Sequence, residues 1–97
     1  TEAEHNKRVG EAIKHFRLNY KNPDKPKTLG LTQTELAKRI FVTFQQVQKY
    51  EKGLNGCSAF RIKELSKHLK VPIVYFFEQP LILTKEVEIE YDKSSSR

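Results

Sequence analysis

An all-α domain of five helices, followed by a short C-terminal β-strand extension, is the fold class that this 97-residue chain predicts. Three observations carry it. Two helix-start signals stand eleven residues apart, at Thr32 and Thr43. Apolar residues recur at helical spacing on both sides of that pair. Past residue 80 the pattern changes to an alternation of apolar and acidic residues.

The first helix is expected over residues 4 to 20, where Val9, Ala12, Ile13, Phe16 and Tyr20 share one face and form core. Asn22-Pro23-Asp24-Lys25-Pro26-Lys27 then makes a polar, proline-broken loop, longer than a compact version of such a domain needs.

Residues 31 to 53 read as two short helices joined by a tight turn. Thr32 caps the first, Glu35 reaches back as a capping box, and Leu31 staples onto Leu36. Thr43 and Gln46 repeat the box at the second helix, with Val42 and Val47 as its staple. Leu36, Ala37 and Ile40 on one helix, and Val47 and Tyr50 on the other, supply a shared apolar seam. Ala37 is small where the helices must approach closely.

Leu54-Asn55-Gly56 is a turn, after which Ser58 caps a fourth helix. Ala59, Ile62, Leu65 and Leu69 are its expected core stripe, with Arg61, Lys63 and Lys67 toward solvent and Cys57 packed on Ile62. A fifth, short helix begins at Pro72 and offers Ile73, Tyr75, Phe76 and Phe77, part closing the core and any remainder forming a patch suited to a subunit interface. In the tail, Leu81-Ile82-Leu83 is followed by Val87, Ile89 and Tyr91 alternating with Glu86, Glu88, Glu90 and Asp92. That segment is either a strand that pairs with a second subunit or another protein, or a tail without order. Residues 93 to 97 are expected to be disordered. Gly10, Gly30, Gly53 and Gly56 read as turns or helix ends. The domain is thus expected over residues 1 to 78 and the extension over 79 to 97.

Composition narrows the function. Hydrophobic residues make up 37% and charged residues 31%, no run approaches the ~20 apolar residues that span a bilayer, and no signal-peptide core opens the chain. With Cys57 as the lone cysteine, no intrachain disulfide is possible; a cytoplasmic location without membrane contact is expected. His5, His15 and His68 lack ligand spacing and read as surface residues, and no phosphate loop, dinucleotide glycine pattern or nucleophile elbow occurs. Neither a metal or other cofactor nor an enzymatic role is expected. The net charge of +6 divides unevenly: residues 1 to 78 carry fifteen Lys and Arg against eight acids, and residues 79 to 97 three against four. A basic domain of this kind favours a polyanion.

On the second motif helix, Phe44, Gln45, Gln48, Lys49 and Lys52 form a solvent-side stripe. Its chemistry suits the major groove of DNA. Glutamine pairs with adenine N6 and N7, lysine donates to guanine O6 and N7 or to phosphate, and an aromatic ring packs on a thymine methyl. An ordinary polar helix face fits the same stripe.

The run Leu-Thr-Gln-x-Glu-Leu-Ala, a turn, an internal Val and a closing Glu-x-Gly resembles the helix-turn-helix of the Xre-type, Cro and phage-repressor-like family. It is carried here by Leu31, Thr32, Gln33, Glu35, Leu36, Ala37, Val42, Val47, Glu51 and Gly53. More loosely, the resemblance spans residues 9 to 77. It implies a lambda-repressor-like fold, an Arg17–Glu51 structural pair, and a loop at Asn55 that meets a phosphate. The chain departs from the family at Phe41, where a turn glycine is usual. Phe41 either sits at positive φ at a cost of about 1 kcal/mol or more, or the turn has another shape, or the ring is an exposed contact.

The reading that follows is a sequence-specific transcriptional regulator, expected to be a repressor, that binds double-stranded DNA. A homodimer is expected through the helix at 72–77 and the strand at 81–91. Thr43, Phe44, Gln45, Gln48 and Lys49 are the candidate base contacts; Gln33, Lys52 and Asn55 are the candidate backbone contacts. Lys21, Lys25 and Lys27 either approach DNA from the side or lie in a solvated loop without a role. Two rivals stand beside this reading: an antitoxin-like or adaptor protein whose C-terminal strand binds a partner, and a non-specific nucleic-acid binder.

Overall fold

A computed structural model of the chain describes residues 1–77. Four α-helices, α1 (Glu2–Leu18), α2 (Gln33–Arg39), α3 (Phe44–Glu51) and α4 (Ala59–Leu69), are followed by a 3₁₀ turn at Ile73–Phe76. The all-α class therefore holds for the described residues. The expected strand at 81–91 lies outside them.

Helix α1 begins two residues earlier than its apolar spacing indicates, because Thr1 and Glu4 form a capping box of the same kind as Thr32 and Glu35. It ends at Leu18, two residues short of Tyr20. Tyr20 stays in the core, where its hydroxyl accepts a hydrogen bond from Arg39 Nη1 at 3.1 Å.

Val9, Ala12, Ile13 and Phe16 from α1 meet Leu36, Ala37 and Ile40 from α2, Val47 and Tyr50 from α3, and Ile62, Leu65 and Leu69 from α4 in one buried cluster. Both staples close as the sequence indicates, Leu31 and Leu36 being buried and Val42 packing on the cluster beside Val47. Thr43 forms only half of its box: Oγ1 accepts from Gln46 N–H at 3.2 Å, and no return bond from Gln46 occurs among the described residues.

Four expectations need correction. Where a fifth helix is expected, the four residues Ile73–Phe76 make a 3₁₀ turn that drives Phe76 fully into the core, edge-on to Phe16 at 5.4 Å between ring centroids. Such a tight turn is suited to a short closing segment. Ala59 is exposed, because the first turn of α4 overhangs the core. Arg61 does not simply face solvent: its Nη1 donates to the Ile40 carbonyl at 2.5 Å, satisfying an acceptor left open by the end of α2. Gly10 is neither a turn nor a helix end but a buried residue within α1. A Cβ there would collide with the carbonyl oxygens of Tyr50 and Glu51, so this glycine lets α1 and the end of α3 pack backbone to backbone.

The proline-broken loop is tied down at several points. Lys21 and Leu29 form an antiparallel bridge, Gly30 N–H donates to Tyr20 O at 2.7 Å, and buried Asn22 accepts from Asp24 N–H through Oδ1 at 3.0 Å.

Candidate DNA-binding surface

The arrangement of α3 begins with its ends. Phe41 closes α2 in the left-handed region at φ 60°, and Val42 N–H donates back to Ala37 O at 3.0 Å. The turn thus has the shape that glycine usually provides, with the Phe41 ring 89% exposed. Thr43 then caps α3, whose far end is closed by Gly53 at φ 73°.

Beside that far end lies a buried ionic network. Arg17 donates through Nε to Glu51 Oε2 at 2.6 Å and through Nη2 to Glu51 Oε1 at 3.0 Å. Its Nη1 donates to Leu31 O at 2.9 Å, and the two side chains are only 8% and 4% exposed. The bidentate geometry fixes the distance from α1 to α3 and the roll of α3 about its axis. Gln33 joins by donating Nε2 to Glu51 Oε1 at 3.0 Å. One amide proton of Gln33 is thereby committed, and the other makes no hydrogen bond among the described residues.

Above this network is an open depression of about 480 Å³, lined by Lys14, Thr32, Gln33, Gln48 and Lys52 as well as the ion pair. Gln33, Gln48 and Lys52 are thus brought together, and Lys14 joins them. Thr43, Phe44, Gln45 and Lys49 are exposed along α3 outside the depression, and Asn55 is exposed in the turn before α4. Sequence reasoning missed Lys14; its signal was its place three residues before Arg17, one helical turn away on the same face.

Glu35 caps α2 by accepting Thr32 N–H at 2.8 Å and also receives Lys25 Nζ at 3.1 Å. The Thr32 N–H first, and Lys25 second, hold its carboxyl down to about 2. Burial pushes the Cys57 thiol up to about 12, so it stays protonated. Among the described residues no helix is long and apolar enough to cross a membrane.

The sequence model of the helix-turn-helix family HTH_3 matches residues 27–76, slightly more than half of the chain. The chain belongs to this Xre/Cro-like helix-turn-helix family. Among similar proteins is an uncharacterized HTH-type transcriptional regulator, y4wC, of Sinorhizobium fredii, 57% identical over 52 residues that cover 54% of this chain and 36% of that protein. An uncharacterized transcriptional regulator in the ATPase CF(0) region of Rhodospirillum rubrum is 57% identical over 49 residues, 50% of this chain and 45% of that protein. An uncharacterized HTH-type transcriptional regulator of Sinorhizobium medicae is 48% identical over 50 residues, 52% of this chain and 36% of that protein. The chain spans less than half the length of these relatives. The helix-turn-helix is a non-enzymatic DNA-binding unit, and α1, which supplies Arg17 and Lys14, lies outside the matched segment.

Proposed function

We propose that this helix-turn-helix protein is a sequence-specific transcriptional regulator that reads the major groove of double-stranded DNA with α3. The observation that carries this reading is the attachment of α3. Its C-terminal end is locked by Arg17 and Glu51, while Thr43, Phe44 and Gln45 stand exposed at its N-terminal end and Lys49 is exposed in its last turn. Recognition helices of this motif meet base edges with their N-terminal residues. Gln45 suits an adenine, Lys49 a guanine, and Phe44 a thymine methyl. Thr43 Oγ1 already accepts from Gln46 N–H, so its hydroxyl proton is the part that serves a base or phosphate. Gln48 at the edge of the depression completes the base-reading set. Gln33 and Lys52 hold the backbone beside it, and Asn55 holds it from the following turn.

Repression follows if the bound site overlaps a promoter, through occlusion and without chemistry on the DNA. A homodimer suits this reading, because two recognition helices must reach major-groove faces about 34 Å apart. Ile73, Val74 and Phe77, respectively 43%, 48% and 45% exposed, support a subunit contact at 72–77. The segment 81–91 is proposed to extend that contact.

Selection of bound duplexes from a random pool, with competitor DNA at two salt concentrations, tests the reading. Enrichment of a paired half-site that Gln45→Ala weakens selectively is the expected result. Equal binding of every duplex would return the weight to non-specific binding. A monomer that co-purifies with a stoichiometric partner would favour the antitoxin-like or adaptor role.

A further inference from the structure

We propose that the loop at residues 21–29 is a second DNA-backbone contact, seating a phosphodiester of the flanking strand between Lys21 and Lys27. The proposal rests on the DNA-binding reading above and extends the footprint beyond the bases that α3 meets. Residues 21–29 contain three lysines and one acid, Asp24. The loop is held in shape by the Lys21–Leu29 bridge, by the turn bonds from Lys25 N–H to Asn22 O at 3.1 Å and Thr28 N–H to Lys25 O at 2.9 Å, and by buried Asn22. Lysines on a fixed loop lose less freedom on binding than lysines on a loose one.

The loop encloses an open cleft of about 410 Å³ with Lys21 and Lys27 among its lining and Pro23, Pro26 and Leu29 as apolar walls. Two ammonium groups suit a phosphate, and the apolar walls suit the deoxyribose beside it. Lys25 is engaged by Glu35 at 3.1 Å, whereas Lys21 and Lys27 have no carboxylate within 4.0 Å among the described residues. Position supplies the link to DNA. The Glu35 carboxylate that receives Lys25 also receives Thr32 N–H, and Thr32 lines the depression shared with Lys14, Gln33 and Lys52. Through Lys25 the loop therefore reaches the edge of the α3 surface.

The test measures the affinity of the full chain for a selected duplex over a range of salt concentrations. Lys21→Ala with Lys27→Ala is expected to lower the magnitude of the slope of log affinity against log salt by about 1, at roughly 0.9 per phosphate contact, and to leave the ranking of duplexes unchanged. Lys21→Arg with Lys27→Arg is expected to restore the slope, and the equal-charge control Lys67→Ala with Lys70→Ala to leave it intact. An unchanged slope in the first variant, or an equal fall in the control, overturns the loop contact while the DNA-binding reading survives. A wild-type chain that binds no duplex overturns both.

Discussion

The turns on either side of α3 close α2 and α3 with the same geometry for different reasons. Ahead of α3, Phe41 takes the left-handed conformation and Val42 N–H returns to Ala37 O at 3.0 Å; after it, Gly53 does the same and Leu54 N–H returns to Lys49 O at 2.9 Å. At Gly53 a Cβ would stand 2.7 Å from Lys7 Cα, so the neighbouring backbone forbids a side chain. At Phe41 the ring is 89% exposed, so a side chain is accommodated and only the backbone is strained. The backbone of α1 thus clamps α3 at its C-terminal end, while the turn before its N-terminal end stays open to solvent. That suits a helix whose N-terminal half enters a groove.

Breaking the clamp has the largest expected effect. Arg17→Ala leaves the Glu51 carboxylate buried without its guanidinium, at a cost of about 3–5 kcal/mol. Chemical denaturation is expected to show that loss together with weakened DNA binding; an unchanged Tm and unchanged binding would remove the pair from the account. Gly53→Ala adds left-handed strain to a clash with Lys7, together about 2–4 kcal/mol. Gly10→Ala follows at about 1–3 kcal/mol, although alanine is the better helix former, because its Cβ meets the carbonyl oxygens of α3. A stability gain from Gly10→Ala would show that the close approach is not needed.

The open end predicts the opposite sign. Phe41→Gly relieves the left-handed strain and is expected to stabilise the domain by about 1 kcal/mol, on the order of 5 °C in Tm. A fall in Tm would mean that the Phe41 ring contributes more than its exposure implies.

The smallest effect is at the start of α2. Glu35 has its carboxyl held at about 2 against 4.5 for an ordinary one, so its capping contribution is present above about pH 4.5 and disappears as pH falls toward 2. Glu35→Gln is expected to flatten that part of the acid-stability profile, and a profile unchanged from wild type would contradict it.

Much of this was legible because local chemistry and tertiary packing agree. The box at Thr32, the cap at Thr43, the staples at Leu31 and Val42 and the α1 stripe all specify their elements locally. Thr1-x-x-Glu4 is an equally readable box, masked by an apolar stripe that begins only at Val9. Gly10, Arg61 and Asn22 were not legible in the same way. The close approach at Gly10, the bond from Arg61 to Ile40 O and the burial of Asn22 depend on elements or turns that meet only in three dimensions. The fifth helix failed because four residues rich in apolar side chains do not distinguish one 3₁₀ turn from the start of an α-helix. At the candidate DNA-binding surface, the α3 stripe is visible in the sequence as a stripe, whereas Lys14 requires knowing which face of α1 borders α3.

The most direct test of the central claim is an NMR titration of the isotope-labelled chain with its selected duplex, following each backbone amide. The largest changes are expected at residues 43–49 and around Gln33 and Lys52, with α4 residues 62–69 little affected. Changes centred on residues 70–77, with α3 unmoved, would contradict the claim.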